Sequence, residues 1–152
     1  MLLAEEAYAS LKKKLFPLAT VLTPNYFETQ KLTVLALANE HEIEAAARCL
    51  QDLGAQYIVL KGAHHFDHQT EVHDYVLLAD GSSHWSSHPF VNTQRINGTG
   101  DSFSAVITAE LAKGTPLLTA IQIAVTFVHR AISQPLAVGH RFGPINHWSA
   151  KD

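Results

Sequence analysis

The sequence predicts an α/β fold, and three features carry that expectation. Tyr57-Ile58-Val59-Leu60 is a continuous apolar run directly behind an amphipathic helix, as expected of a strand in a sheet covered on both faces. Val72–Ala79 and His84–Phe90 flank Asp80-Gly81, a dipeptide suited to a type I′ hairpin turn. Two helical segments follow the glycine-containing turn Asn97-Gly98-Thr99-Gly100-Asp101. The predicted order is helix, strand, two helices, strand, hairpin and two final helices, which is a layered α/β arrangement.

Ala4–Phe16 has helical composition, with Leu11 and Leu15 at i, i+4. Glu5 and Glu6 stand early and Lys12 and Lys13 late, as the helix dipole favours, and Pro17 ends the segment. Thr20-Val21-Leu22 reads as a short buried strand, stopped by the turn-forming Thr23-Pro24-Asn25. Tyr26–Leu37 is predicted to be helical. Glu42–Leu53 is a clearer helix: Ile43, Ala46, Ala47 and Leu50 form one stripe, Cys49 is expected beside it as a small core residue, and Gly54 terminates it. Gln56–Leu60 is the next strand. In Ser102–Lys113, Phe103, Ile107 and Leu111 recur at i+4, and Gly114 closes the helix. Thr115 is expected as N-cap and Pro116 as first residue of a helix to about Ser133, with Leu117, Ile121, Ala124, Val128 and Ile132 facing inward. No repeat or linker interrupts the chain, so residues 1–152 are expected to form a single domain.

Composition narrows the function classes. At 47% hydrophobic and 16% charged, 152 residues bury a real core, which excludes disorder. A net charge of −3 supplies no basic field for nucleic acid. Gln122, Thr126, His129 and Arg130 interrupt the longest apolar stretch, so no membrane span is expected. The acidic start does not resemble a signal peptide, which predicts a cytoplasmic protein. The single cysteine, Cys49, rules out an internal disulfide and a multi-cysteine metal site.

Four places offer chemistry. Gly98 and Gly100 let the backbone turn tightly and let an anion approach the first N–H groups of the following helix. Asp101 beside them is placed to act as a general base, although an ordinary loop with Asp101 as a capping residue has the same pattern. Asn25 and Glu28 lie three apart at a helix start after a strand. They suit a water-coordinated Mg²⁺ or, equally, a capping box. Lys61-Gly62 ends the Tyr57–Leu60 strand and should emerge on the same edge as Asn25, where a lysine meets nucleotide phosphates or simply solvent. His64, His65 and His68, with Asp67, are a weaker metal candidate in a loop.

Taken together and in order, Thr-Pro-Asn-x-x-Glu at 23–28, Leu-Lys-Gly-Ala-His at 60–64, Asn-Gly-Thr-Gly-Asp at 97–101 and Gly-Pro-Ile-Asn-His-Trp at 143–148 resemble the ribokinase-like vitamin kinases. The similarity is strongest to the hydroxymethylpyrimidine/phosphomethylpyrimidine kinases of thiamine biosynthesis, with pyridoxal kinases next. It implies a three-layer fold with a mainly parallel sheet, a β-hairpin and flanking helices. It also implies ATP-dependent phosphorylation of the hydroxymethyl group of 4-amino-5-hydroxymethyl-2-methylpyrimidine, with one step or a second on the monophosphate left open. By resemblance, Asp101 is the catalytic base, and Gly98, Thr99 and Gly100 are the anion hole for the transferred phosphate. Lys61 and Gly62 are implied to bind ATP, and Asn25 and Glu28 to hold Mg²⁺ through water. Phe103–His129 is implied to wall the adenine, and a monovalent cation is a further implied cofactor.

Two departures qualify the resemblance. Many of the pyrimidine kinases carry Gly-Thr-Gly-Cys where this chain has Asp101, a residue shared with pyridoxal and sugar kinases, so pyridoxal is the alternative substrate. The family's chains are also nearly twice as long, which makes this sequence match a C-terminal nucleotide-binding and catalytic portion without the N-terminal half. A sheet so cut exposes an edge, predicting homo-oligomerisation or association through that edge. A portion that binds nucleotide or a partner without catalysis is the expectation from another class. A non-enzymatic metal-binding protein using His64, His65 and His68 is a third.

Overall fold

The computed structural model describes residues 5–62, 70–134, 136–138 and 143–149. The chain divides into two compact units, Met1–Pro89 and Phe90–Asp152.

The first unit opens with α1 (Glu5–Ser10). The helix predicted to run on to Phe16 instead widens into a π turn over Leu11–Leu15, where the Phe16 N–H bonds to the Leu11 carbonyl, and then tightens into a 3₁₀ turn over Phe16–Leu18. Phe16 is thereby buried, and Pro17, which lacks an N–H, sits in the final turn. Strand β1 (Val21–Leu22) leads into α2 (Tyr26–Thr33) and α3 (Glu40–Asp52), followed by β2 (Tyr57–Leu60), β3 (Glu71–Leu77) and β4 (Ser83–Pro89). The sheet order is β1-β2-β3-β4. Only β1–β2 is parallel; β2–β3 and β3–β4 are antiparallel, so the sheet of this chain is mixed.

Register explains the core. Ile58 faces Leu77 and Leu60 faces Tyr75, and all four join Ile43, Ala46, Ala47 and Leu50 of α3 in one buried cluster. Val59 pairs with Val76 on the alternate face, and both are fully buried. Each fully buried aliphatic side chain of this kind stabilises the fold by roughly 1.5–3 kcal/mol. Gly54 joins α3 to β2 with φ +111°, and a Cβ there would stand 2.7 Å from the Pro17 Cα, so glycine alone permits this approach of two backbones.

Three local expectations are corrected in this unit. Helix α2 stops at Thr33 rather than Leu37, because Val34 turns left-handed (φ +62°) and is 87% exposed, while the reversal carries Leu37 into the core. The Lys12 ammonium covers the C-terminal end of α2 by donating to the Leu32 carbonyl. Cys49 is exposed rather than buried, since it lies about 120° round α3 from the Ile43–Leu50 stripe at 3.6 residues per turn. The hairpin turn is not type I′: Gly81 has positive φ but Asp80 does not. Gly81 N–H bonds to Leu78 O and Leu78 N–H to Ser82 O, a three-residue loop with a left-handed glycine.

The second unit holds α4 (Thr99–Ala112) and α5 (Leu117–Ser133), which pack together. Phe103 and Ile107 of α4 are buried, as are Ala120, Ile121, Ala124, Val125 and Ala131 of α5. Thr115 does not cap α5. Its hydroxyl donates to Glu110 Oε2 at 2.9 Å, and Pro116 takes the N-cap position.

Candidate functional site

In the first unit, the turn after β1 places Asn25 at the N-cap of α2 and Glu28 at its third position. The capping box forms in full: Glu28 N–H donates to Asn25 Oδ1 at 2.9 Å, and Asn25 N–H to Glu28 Oε2 at 2.8 Å. Parallel pairing continues past β1–β2 as an isolated bridge between Asn25 and Lys61, with Lys61 N–H donating to the Pro24 carbonyl at 2.9 Å. Lys61 and Asn25 therefore stand side by side at the carboxyl end of the parallel strands, where open α/β sheets place ligands. Asn25 and Glu28 offer hard oxygen donors suited to Mg²⁺. Both are already engaged in the cap, so a cation held through its water shell fits better than one that must displace those bonds.

Sequence reasoning missed Asp74 on β3. It is 3% exposed, and its Oδ1 accepts the Gly62 N–H at 2.8 Å while Oδ2 lies 3.6 Å from His88 Nε2 on β4. Its signal was a lone carboxylate amid the apolar run Tyr75-Val76-Leu77, a position that requires a partner when buried. Burial opposes charge on His88, but the Asp74 carboxylate 3.6 Å away outweighs it, and the imidazole pKa is raised. A groove of about 480 Å³ adjoins Glu28, lined chiefly by Tyr8, Leu11, Phe16, Leu22, Phe27 and Leu32.

In the second unit, Gly98 is the N-cap of α4 with φ +97°, a conformation that favours glycine. Thr99 N–H bonds to Ile96 O and Ser102 N–H to Gly98 O, so Gly100 and Asp101 are the first-turn amides without an intrahelical acceptor. Asp101 is exposed in that first turn, beside the positive end of the helix. The anion cradle read from the glycines is thus part of α4 itself, which begins three residues earlier than predicted. Ser102 Oγ lies 2.8 Å from His147 Nε2, a contact across 45 residues that spacing does not reveal.

The structure thus brings Asn25, Glu28, Lys61 and Gly62 together in the first unit, and gathers Gly98, Thr99, Gly100 and Asp101 at the start of α4 in the second. His64, His65, His68 and Asp67 lie outside the described residues. Among the described residues, no group of three or more His, Cys, Asp or Glu side chains is arranged to hold a metal ion. No helix there is long and apolar enough to cross a membrane.

Comparison with known proteins agrees with this architecture. The chain is 46% identical over 149 residues to the hydroxymethylpyrimidine/phosphomethylpyrimidine kinase of Haemophilus influenzae, covering 97% of this chain and 55% of that protein. It is 36% identical over 151 residues to the kinase of the same name from Bacillus subtilis, covering 99% of this chain and 55% of that one. Pyridoxal kinase from Staphylococcus aureus, solved with AMP-PCP and pyridoxal, superposes with a TM-score of 0.87 at 30% identity, over 98% of this chain and 55% of that structure. The fold is therefore of the ribokinase-like α/β class. The phosphomethylpyrimidine kinase family model matches residues 1–146, and the chain belongs to that family. It spans about half the length of the relatives it matches.

Proposed function

We propose that residues 1–152 supply the nucleotide-binding and catalytic portion of an ATP-dependent kinase for the hydroxymethyl group of 4-amino-5-hydroxymethyl-2-methylpyrimidine and then its monophosphate. The observation that carries this reading is the start of α4, where the left-handed Gly98 turn presents the Gly100 and Asp101 amides, which have no intrahelical acceptor, beside the exposed Asp101 carboxylate. Phosphoryl transfer is chiefly positioning and charge neutralisation, which such a turn provides before charge develops.

Asp101 takes the proton of the substrate hydroxyl as its oxygen bonds to the γ-phosphorus. The bond from that phosphorus to the β–γ bridging oxygen breaks, and ADP leaves with the electron pair. Gly98, Thr99 and Gly100 form the anion hole around the transferred phosphate, with the Gly100 N–H as the donor that has no intrahelical acceptor. Lys61 and Gly62 serve the nucleotide phosphates. Asn25 and Glu28 would hold Mg²⁺ through water, where the ion neutralises phosphate charge. Pyridoxal is the second reading, supported by Asp101 in place of cysteine and by the likeness to the S. aureus pyridoxal kinase. The outermost position of β1, with the apolar groove beside it, supports association through that edge, in the simplest case with a second copy.

The test is to supply Mg·ATP with hydroxymethylpyrimidine, its monophosphate or pyridoxal, and to detect phosphorylated product from the wild type and from Asp101→Asn. Removing a general base should lower turnover about 10²–10⁴-fold while nucleotide binding persists. Equal turnover in Asp101→Asn overturns the assignment of the base. Nucleotide binding without product from the wild type identifies a non-catalytic binding portion instead.

A further inference from the structure

Gly-Pro-Ile-Asn-His at 143–147 takes no part in the chemistry above, yet it reaches both ends of the Gly98–Asp101 turn. On the near side, Asn97 and Pro144 form a parallel bridge, and Ile145 N–H donates to the Asn97 carbonyl at 3.2 Å. On the far side, His147 Nε2 meets Ser102 Oγ at 2.8 Å. Four residues, 98–101, are thereby held between two gripped positions, Asn97 and Ser102. The segment is itself fixed to the end of α5: Asn146 N–H donates to Ala131 O and Asn146 Nδ2 to Gln134 O, both at 2.9 Å. These bonds satisfy carbonyls that the end of a helix leaves without an intrahelical donor. Ile145 is 1% exposed and packs with Ala131, Phe127 and Ile132, and its Cγ1 stands 3.9 Å from where a Gly98 Cβ would be.

We propose that Ile145–His147 is a clamp that fixes the Gly98–Asp101 turn, with His147 as a positioning residue acting through Ser102. The inference rests on the reading of this turn as the phosphate-handling element. Its physical basis is that a two-glycine turn loses more conformational freedom on ordering than any other, so its first-turn amides are held in one geometry only if something else fixes the ends. Buried Ile145 and the Asn146 bonds supply the anchor, and the His147–Ser102 bond sets the rotation of the first turn of α4, to which Asp101 belongs.

His147 is exposed, so its replacement leaves the core intact. The experiment compares wild type, His147→Ala, His147→Gln, Ser102→Ala and the Ser102→Ala/His147→Ala double variant by amide hydrogen exchange, read at the hydrogen-bonded amides of Thr99 and Ser102, and by titration with Mg·AMP-PCP, read at the amides of residues 99–102. The expected result is exchange about tenfold faster at the Thr99 and Ser102 amides in His147→Ala, the scale of one net hydrogen bond, with the Ala120–Val125 amides unchanged. Glutamine, which keeps a hydrogen-bonding group on a longer side chain, restores protection. The double variant is no worse than either single one, because both remove the same bond. Wild-type amides that respond to Mg·AMP-PCP but exchange identically in His147→Ala overturn the clamp alone. Loss of protection spread through α5 overturns it too, since that is general destabilisation. Turn amides of the wild type that ignore Mg·AMP-PCP overturn the phosphate reading and, with it, the purpose of the clamp.

Discussion

The Gly62 amide donates a 2.8 Å hydrogen bond to the Asp74 carboxylate, tying the turn after Lys61 to the middle of the neighbouring strand. This bond fixes Gly62 where the chain leaves β2, one residue beyond the lysine proposed to meet nucleotide phosphates. Asp74→Ala removes the acceptor and leaves the Gly62 N–H without it. The expected loss is roughly 1–3 kcal/mol of stability, read by urea unfolding, with Asp74→Asn milder because its amide oxygen still accepts. An alanine variant within about 0.5 kcal/mol of wild type would show that the bond is replaceable by water.

The same carboxylate makes the first unit sensitive to pH. The pKa of His88 is raised in the folded state: burial opposes charging, but the negative charge of the adjacent Asp74 prevails. A raised folded pKa means that the native state binds the proton more tightly than the unfolded chain. The stabilisation is fully present below the ordinary histidine pKa and is lost as pH rises through the folded value. Thermal unfolding across this range should show the wild type losing stability towards alkaline pH, and His88→Gln should flatten that part of the profile. An unchanged slope in the variant assigns the titration elsewhere.

Gly98 is the position where backbone geometry alone decides. Its φ of +97° strains any L-residue, while the nearest heavy atom to an added Cβ is 3.9 Å away, so space is not the obstacle. Gly98→Ala should cost roughly 1–2 kcal/mol, and Gly98→Asn less, because asparagine enters the left-handed region more readily. Equal losses for both, measured by thermal unfolding, would mean that side-chain bulk rather than backbone conformation is being sensed.

The apolar groove beside β1 predicts association. Phe27 lines it and is 63% exposed, so Phe27→Lys leaves the core intact while placing a charge in the groove. Sedimentation velocity should show concentration-dependent self-association of the wild type and a smaller species for Phe27→Lys. A wild type that stays monomeric over the same range rejects association through this edge.

The order of elements was legible from the residues alone, because helical stripes such as Ile43-Ala46-Ala47-Leu50 and apolar runs such as Tyr57–Leu60 are local patterns set by backbone period. It also placed Asn25 and Lys61 on one edge, since both follow strands that run in parallel. Helix ends were less legible. Val34 is a poor residue for a left-handed turn, and only the burial of Leu37 explains why the chain reverses there. The tertiary structure alone decided which polar groups meet. Asp74 finds Gly62 across 12 residues, and His147 finds Ser102 across 45. Each contact depends on how separate elements pack, and a hydrogen bond between distant residues leaves no periodic trace in either segment.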